Sequence, residues 1–471
     1  MIFYGAFTLC VLLPALVASQ SQPHIVKIKR SNSGMHHVSD FVSRRMNRLT
    51  QLERKLLSTE PEQSHLTYGV RNFIWSYLIE VDIGTAEDGT HQKFDMVLDS
   101  GSSILWVPGK ACTTNTCHME ADTALFDPGL STTFQEDKNN HINVSYGSGA
   151  CNGIAGQDSI FLNGLEVKDQ MFGIADTVTS DMLSGGVEGI FGIGPSQSTA
   201  MFNKLKQVWD TPLDSLAKSN TISKNMFSVY FDGVDNVDDI ESNNGQFTIG
   251  DLPSRDTYTG EISWLPRFNE DIFGFYWGVQ ARGMKIGDNE MLRPSKGIVD
   301  TGTTMIIVSD AFSRHSIRSI RGVTLDINKR LLVVRCTNIK DLPTISFLFD
   351  EAELRLTPEQ YVAPAWQAPY WKVQPGFCPL YISVENIAAF DFVLGQKFLE
   401  QYVSVYDADN NRVGFAPSVH YASKVHKGTT EHGDGKSNGQ GDESKNDDKG
   451  KAHSGNEEAS KVHNVTPLHA H

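Results

Sequence analysis

Two short stretches hold the residues whose types and spacing can do chemistry. In "MVLDSGSSILWVP" (96–108) one carboxylate, Asp99, stands between an apolar run and a cluster of small residues. In "GIVDTGTTM" (297–305) Asp300 stands in the same setting. Asp99-Ser100-Gly101-Ser102 matches Asp300-Thr301-Gly302-Thr303, 201 residues further on. Either stretch alone reads as an ordinary turn, where Asp beside Gly and Ser is common. A second landmark repeats with them. "GIFGIG" sets Gly192 93 residues beyond Asp99, and "FVLGQK" sets Gly395 95 residues beyond Asp300. Two features sharing nearly one offset imply two homologous lobes, each presenting one Asp-Ser/Thr-Gly turn.

A two-fold axis between such lobes brings the turns together. Two carboxylates held close cannot both ionise easily, so they share a proton. The ionised partner can take a proton from a bound water while the protonated partner donates to a substrate carbonyl. Water then attacks with no covalent intermediate. Gly101 and Gly302 permit the close approach. Ser102 and Thr303 can hydrogen-bond the outer carboxylate oxygens and hold the pair coplanar. The competing chemistry is a carboxylate metal site. Such sites want three or more oxygen side chains, whereas these flanks offer hydroxyls, so neither a metal nor a cofactor is expected.

The elements that must position the pair read as strands. Short apolar or alternating runs recur from about Leu66 onward, among them "FDMVLD", "HINVSYG", "NMFSVYF", "GQFTIG", "RLLVVRC", "TISFLF" and "YVSVYD". Gly, Asn and Asp punctuate them, and the chain has 40 Gly. The body is therefore mainly β. Short helices are expected around Met201–Val208 and Asp310–Ile320. A chain of 471 residues is long enough for two lobes plus extras.

The ends differ from the body. Residues 1–19 are apolar and uncharged, with small residues at Val17-Ala18-Ser19. They read as a secretory signal without its usual positive start. A membrane anchor is the alternative, which Pro14 disfavours. No later stretch is apolar enough to span a bilayer. Residues 20–65 carry eight Lys/Arg and four Asp/Glu, or +4. Phe41–Leu57 reads as an amphipathic basic helix, for which a calmodulin-like or membrane-surface role is a further possibility. Residues 424–471 carry seven basic and eight acidic residues, which leaves the rest of the chain at −18 of a total of −15. That acidity argues against a nucleic-acid partner. A cationic lead segment before an acidic body suggests one covering the other. The tail from 419 is polar, charged and Gly-rich, and is expected to be disordered; seven of the chain's 15 His lie at or beyond His420.

Outside the signal there are five cysteines: 112, 117, 151, 336 and 378. Two disulfides and one thiol is the expected count in a secreted chain. Cys112 and Cys117 enclose a short clip, and Cys336 and Cys378 could close a longer loop, leaving Cys151 free. Asn143-Val-Ser145 and Asn464-Val-Thr466 match the N-glycosylation sequon, the second followed by Pro467.

From Tyr77 to Pro417 the chain resembles the pepsin-like aspartic protease family. "YLIEVDIGT" looks like the family's first strand and Ile-Gly-Thr turn. "VLDSGSSILWVP" and "VDTGTT" look like its two active-site loops, and "YGSG" (146–149) like its flap tip. "YTGEISWLP" (258–266) is similar to a second-lobe strand pair, and "FVLGQKFLEQYVSVYDADNNRVGFAP" to the C-terminal strands. The resemblance implies a bilobal fold with the active site in the cleft between two β lobes. It implies Asp99 and Asp300 as the catalytic pair, with Ser100, Gly101, Ser102, Thr301, Gly302 and Thr303 as its support. Tyr146 would sit on a hairpin closing over a bound peptide, with contacts from Gly147 and Ser148. Trp106 would prop Tyr146 by a hydrogen bond, and Val97 and Ile190 would line the pocket before the scissile bond. Cys112–Cys117 and Cys336–Cys378 match the family's disulfides.

The resemblance further implies a monomeric endopeptidase made as a zymogen, acting on peptides or proteins and held by its own propeptide. The divisions expected are signal 1–19, propeptide 20–68, lobes 69–235 and 236–418, and tail 419–471. The compartment would be extracellular or an acidic vacuolar, lysosome-like one. The alternative is a catalytically silent pepsin-like secreted binding protein. Some positions depart from the family pattern. Ser100 stands where Thr is commoner, Gln396 where Asp is usual, and Glu400 where a basic residue is common. The last two put a structural ion pair in doubt.

Overall fold

The computed structural model describes residues 24–30, 77–147, 149–179, 182–183, 185–203, 205, 207–233, 245–314, 316–326, 331–385 and 389–420. The expected signal, the basic helix at Phe41–Leu57, Ser148, Asn464 and the tail beyond 420 lie outside the described residues. The chain divides into Met1–Gly428 and Thr429–His471, and everything described belongs to the first unit. Val419 and His420 still belong to the body, since the Val419 amide donates to the Thr257 carbonyl at 3.0 Å.

The strands follow the alternation in the sequence. In β6 (Gln135–Tyr146) Ile142, Val144 and Tyr146 are buried while His141 and Asn143 face out, the period of two that strand geometry imposes. In β4 (Gln92–Asp99) Phe94, Met96 and Leu98 enter the core. Strand β10 (Met226–Phe231) is buried on both faces, as expected for a strand packed between layers.

The first lobe is an eight-stranded sheet in the order β2-β3-β4-β9-β5-β8-β7-β6. Its other members are β2 (Lys29–Arg30), β3 (Tyr77–Ile83), β5 (Trp106–Pro108), β7 (Gly149–Leu162), β8 (Leu165–Val178) and β9 (Ile190–Gly192). The second lobe has a seven-stranded sheet, β13-β16-β23-β17-β22-β19-β18. These strands are β13 (Gly278–Ala281), β16 (Ser295–Val299), β17 (Ile306–Ser309), β18 (Thr324–Asp326), β19 (Leu331–Arg335), β22 (Phe377–Glu385) and β23 (Phe392–Leu394). A four-stranded sheet, β15-β14-β20-β21, flanks it, built from β14 (Gly283–Ile286), β15 (Asn289–Met291), β20 (Ile345–Leu348) and β21 (Glu353–Leu356). A six-stranded sheet in the order β1-β11-β10-β24-β25-β12 draws on both halves of the chain. It contains β1 (His24–Lys27), β11 (Gly245–Ile249), β12 (Ser263–Pro266), β24 (Tyr402–Asp407) and β25 (Arg412–Pro417).

The repeat seen in the sequence reappears in the pairing. β4 runs parallel to β9, β9 antiparallel to β5, and β5 parallel to β8. In the second lobe β16 runs parallel to β23, β23 antiparallel to β17, and β17 parallel to β22. The landmark glycines sit where these strands pass the active loops. A Cβ on Gly192 would lie 2.6 Å from the Ile104 nitrogen, and one on Gly395 would collide with the Thr303 and Met305 carbonyls.

Some expectations shift. "YTGEISWLP" forms one strand, β12, rather than a pair. Its first half makes only an isolated bridge between Tyr258 and Ser418, because Gly260 turns the chain at φ +70°. The first short helix is Gln197–Asn203, and the second is Asp310–Ser313 followed by a 3-10 turn at Ile317–Ser319. Both disulfides are formed, with Cα–Cα distances of 5.5 Å for Cys112–Cys117 and 5.1 Å for Cys336–Cys378. Cys151 is a buried free thiol.

Gln396 and Glu400 acquire partners of their own. Gln396 Nε2 donates to the Thr301 carbonyl at 2.7 Å. Glu400 Oε1 accepts from Lys397 Nζ at 2.7 Å and from the Tyr77 hydroxyl at 2.9 Å. Lys397 and Glu400 are both buried, so neither charge is screened by water. Removing one partner strands the other in a low-dielectric core. Lys397→Ala is therefore expected to lower unfolding free energy by about 3–5 kcal/mol. Urea denaturation measures this, and a loss below about 1 kcal/mol, the scale of exposed pairs, would contradict it.

Candidate active site

Asp99 is the last residue of β4, and Asp300 follows β16 directly. Each is held by the neighbouring crossing strand: the Ile193 amide donates to the Asp99 carbonyl at 2.8 Å, and the Asp300 amide to the Leu394 carbonyl at 3.1 Å. The two carboxylates receive the same set of donors. Gly101 N–H donates to Asp99 Oδ1 at 2.9 Å, and Gly302 N–H to Asp300 Oδ1 at 2.9 Å. Ser102 Oγ donates to Asp99 Oδ2, and Thr303 Oγ1 to Asp300 Oδ2 at 2.6 Å.

Ser100 and Thr301 interlock the two turns. Ser100 N–H donates to Thr301 Oγ1 at 2.8 Å, and Thr301 N–H to Ser100 Oγ at 2.9 Å. Each hydroxyl then donates across to the opposite strand. Ser100 Oγ reaches the Val299 carbonyl at 3.1 Å, and Thr301 Oγ1 the Leu98 carbonyl at 2.7 Å. Ser in place of Thr at position 100 keeps every one of these bonds. The glycines set the separation. A Cβ on Gly101 would lie 2.5 Å from Asp300 Cγ, and one on Gly302 would collide with Asp99 Oδ1.

Both carboxyls are almost wholly buried, and each lies against the glycine of the opposite turn. Burial raises Asp99 above the usual carboxylate range, against the opposing pull of its hydrogen bonds. Burial, and then the negative charge of Asp99, push Asp300 well above it. Such a pair titrates as a unit and can hold one proton between two oxygens.

Tyr146 ends β6 at the tip of the β6–β7 hairpin, and Gly147 follows in the turn. Its hydroxyl accepts from Trp106 Nε1 at 2.8 Å. Burial, then the neighbouring Cys151 and Asp99, hold the phenol well above its ordinary value, so it stays neutral. Val97 and Ile190 pair across β4 and β9 and pack in one cluster with Trp106 and Tyr146. Cys151 lies in that cluster too, and burial pushes its thiol up, away from the reactive thiolate.

Two residues beside the pair carry no signal in the sequence. Tyr406 stacks on Phe227 with ring centroids 4.4 Å apart and meets Trp277 edge-on at 5.2 Å. Trp277 Nε1 donates to the Ile193 carbonyl at 3.1 Å, next to the Asp99 turn. Tyr406 lies in β24 and Trp277 just before β13, and apolar aromatics carry no spacing that separates this role from ordinary core. Among the described residues there is no group of three or more His, Cys, Asp or Glu able to hold a metal ion. No described helix is long and apolar enough to cross a membrane.

Two β lobes with matching crossing strands and a shared, buried aspartate pair define the pepsin-like class. The eukaryotic aspartyl protease profile matches residues 76–418, and the chain belongs to that family. It is 28% identical over 427 residues to a cathepsin E of Rattus norvegicus, covering 88% of this chain and 99% of the relative. It is 32% identical over 352 residues to a cathepsin E-B of Xenopus laevis, covering 73% and 80%. The crystal structure of an aspartic proteinase from Irpex lacteus superposes with a TM-score of 0.63 at 25% identity, covering 74% of this chain and 96% of that one.

Proposed function

We propose that this chain is an aspartic endopeptidase of the secretory pathway, made as a zymogen and active in acid. The observation that carries the reading is the matched cradle around Asp99 and Asp300, with donors of the same kind at equivalent positions on both sides. In the one-proton state the ionised carboxylate accepts a proton from a water lying between the pair. The protonated carboxyl donates to the carbonyl oxygen of the peptide bond. Water attacks the carbonyl carbon, giving a tetrahedral diol. The proton then returns to the leaving nitrogen and the C–N bond breaks. The hydroxyls of Ser102 and Thr303 keep both carboxyls oriented throughout. Tyr146, Gly147 and Ser148 form the flap over the substrate, and Val97 and Ile190 give the pocket before the cut its apolar character.

The lead segment supports the zymogen reading. β1 pairs with β11 over four residues, with Val26 and Ile28 buried. β2 pairs with β3 at Lys29–Leu78 and Arg30–Tyr77. A basic segment built into two sheets of an acidic body is suited to restrain it until acid protonates carboxylates. The disulfides fit an oxidising compartment. Purified full-length chain should convert at about pH 4 by cleavage within residues 58–71. It should then cut a peptide library between apolar residues, and a statine-type inhibitor should block it. A precursor that stays full length in acid and with added proteases would end the zymogen reading. A processed chain that cuts nothing would end the endopeptidase reading.

A further inference from the structure

We propose that Asn143 carries an N-linked oligosaccharide on the outer face of the β6–β7 hairpin, and that this sugar keeps folded protein surfaces away from the cleft. The inference rests on the secretory-pathway reading above. Asn143 belongs to an Asn-Val-Ser sequon. It is exposed, while Ile142 and Val144 on either side are buried. It faces away from Tyr146, three residues on, because strand neighbours at odd spacing point to opposite faces. Its partner across the hairpin is Asn152, and Ser145 pairs with Ala150. That outer face therefore presents small and polar side chains, with room for a bulky group. β6 is also the edge strand of its sheet, and a sugar there blocks pairing with another chain.

Attachment is a group transfer from an oligosaccharide carried on a polyprenyl pyrophosphate. Asn143 Nδ2 bonds to the anomeric carbon and loses one proton. The bond from that carbon to the pyrophosphate oxygen breaks, and the pyrophosphate leaves with the electron pair. The sugar then stands outside the hairpin rather than beneath it. An extended peptide entering under the flap would not meet it. A folded substrate approaching across the hairpin would.

The test is to express the full chain in a eukaryotic secretory host with Asn143→Gln, Ser145→Ala and Ser145→Thr variants. The parent and Ser145→Thr should exceed the other two in mass by one oligosaccharide, removable by an endoglycosidase. Loss of the sugar should leave kcat/KM on a short peptide within about twofold and raise it on a folded protein by about fivefold or more. Should the unglycosylated variants fail to be secreted, trimming the parent's sugar under native conditions gives the same comparison. Equal masses for all four chains would overturn the site. A mass difference with unchanged folded-substrate rates would overturn its proposed effect. A chain that bears the sugar but cleaves nothing would uphold the site and remove the endopeptidase reading.

Discussion

Asp99→Asn or Asp300→Asn is expected to lower kcat by at least about 10³-fold, within the range for loss of general acid–base catalysis. Asn keeps the shape of the carboxylate: its one oxygen can still accept the Gly N–H, and its NH2 can donate to the hydroxyl that donated to the lost oxygen. It can neither take a proton from water nor share one with its partner. Either substitution breaks the same one-proton pair, so the double variant should be little worse than either single one.

The same variants separate lost chemistry from lost folding. Both aspartates have folded values raised above the ordinary carboxylate value. The folded chain therefore binds these protons more tightly than the unfolded chain. Their contribution to stability is fully present below the unfolded value and is lost as pH rises through the folded values. Asp300→Asn removes the Asp300 share of that dependence, the larger of the two. The variant should melt higher than the parent at pH 7, by roughly 2–4 °C, with little difference at pH 3. Calorimetry at the two pH values measures this. A variant that melts lower than the parent at neutral pH would contradict the assignment of Asp300 as a buried, proton-sharing carboxyl.

Gly101→Ala should be nearly as damaging to activity, though the new residue is only one carbon larger. Its methyl would lie 2.5 Å from Asp300 Cγ and 2.6 Å from both carboxylate oxygens. Real side chains do not tolerate that approach, so the turns must separate. Parting them strains the four cross-bonds of Ser100 and Thr301 and moves the two carboxyls apart. Activity should fall by about 10² to 10³-fold, as it does when reacting groups are misplaced by an ångström. Stability should fall by about 1–3 kcal/mol through overpacking. Peptide cleavage and urea denaturation on one preparation give both numbers. Activity within about tenfold of the parent would mean that the carboxyls do not need this separation.

Much of this site was legible in the sequence because its logic is a repeat. Two Asp-hydroxyl-Gly-hydroxyl turns and two trailing glycines share an offset, and the same pairing order recurs in both lobes. Alternation marked the strands: the run "HINVSYG" became β6, with Ile142, Val144 and Tyr146 on its buried face. The hidden part depends on contacts between residues far apart in the chain. Ser100 and Thr301 each looked like one more small hydroxyl, and only the fold crosses them over. Trp277 and Tyr406 carry no chemical spacing that would mark them as neighbours of the pair. Gln396 and Glu400 read as departures that put an ion pair in doubt, and sequence alone could not supply Lys397 and Tyr77 as the new partners.

The pH dependence of kcat/KM on one peptide, taken from pH 2 to 8 with the processed chain, tests the shared proton most directly. The expected result is a bell with an acidic optimum, one limb for the first proton of the pair and one for the second, and no such profile in Asp99→Asn or Asp300→Asn. Cleavage that rises monotonically to neutral pH, or that survives in either variant, would contradict it.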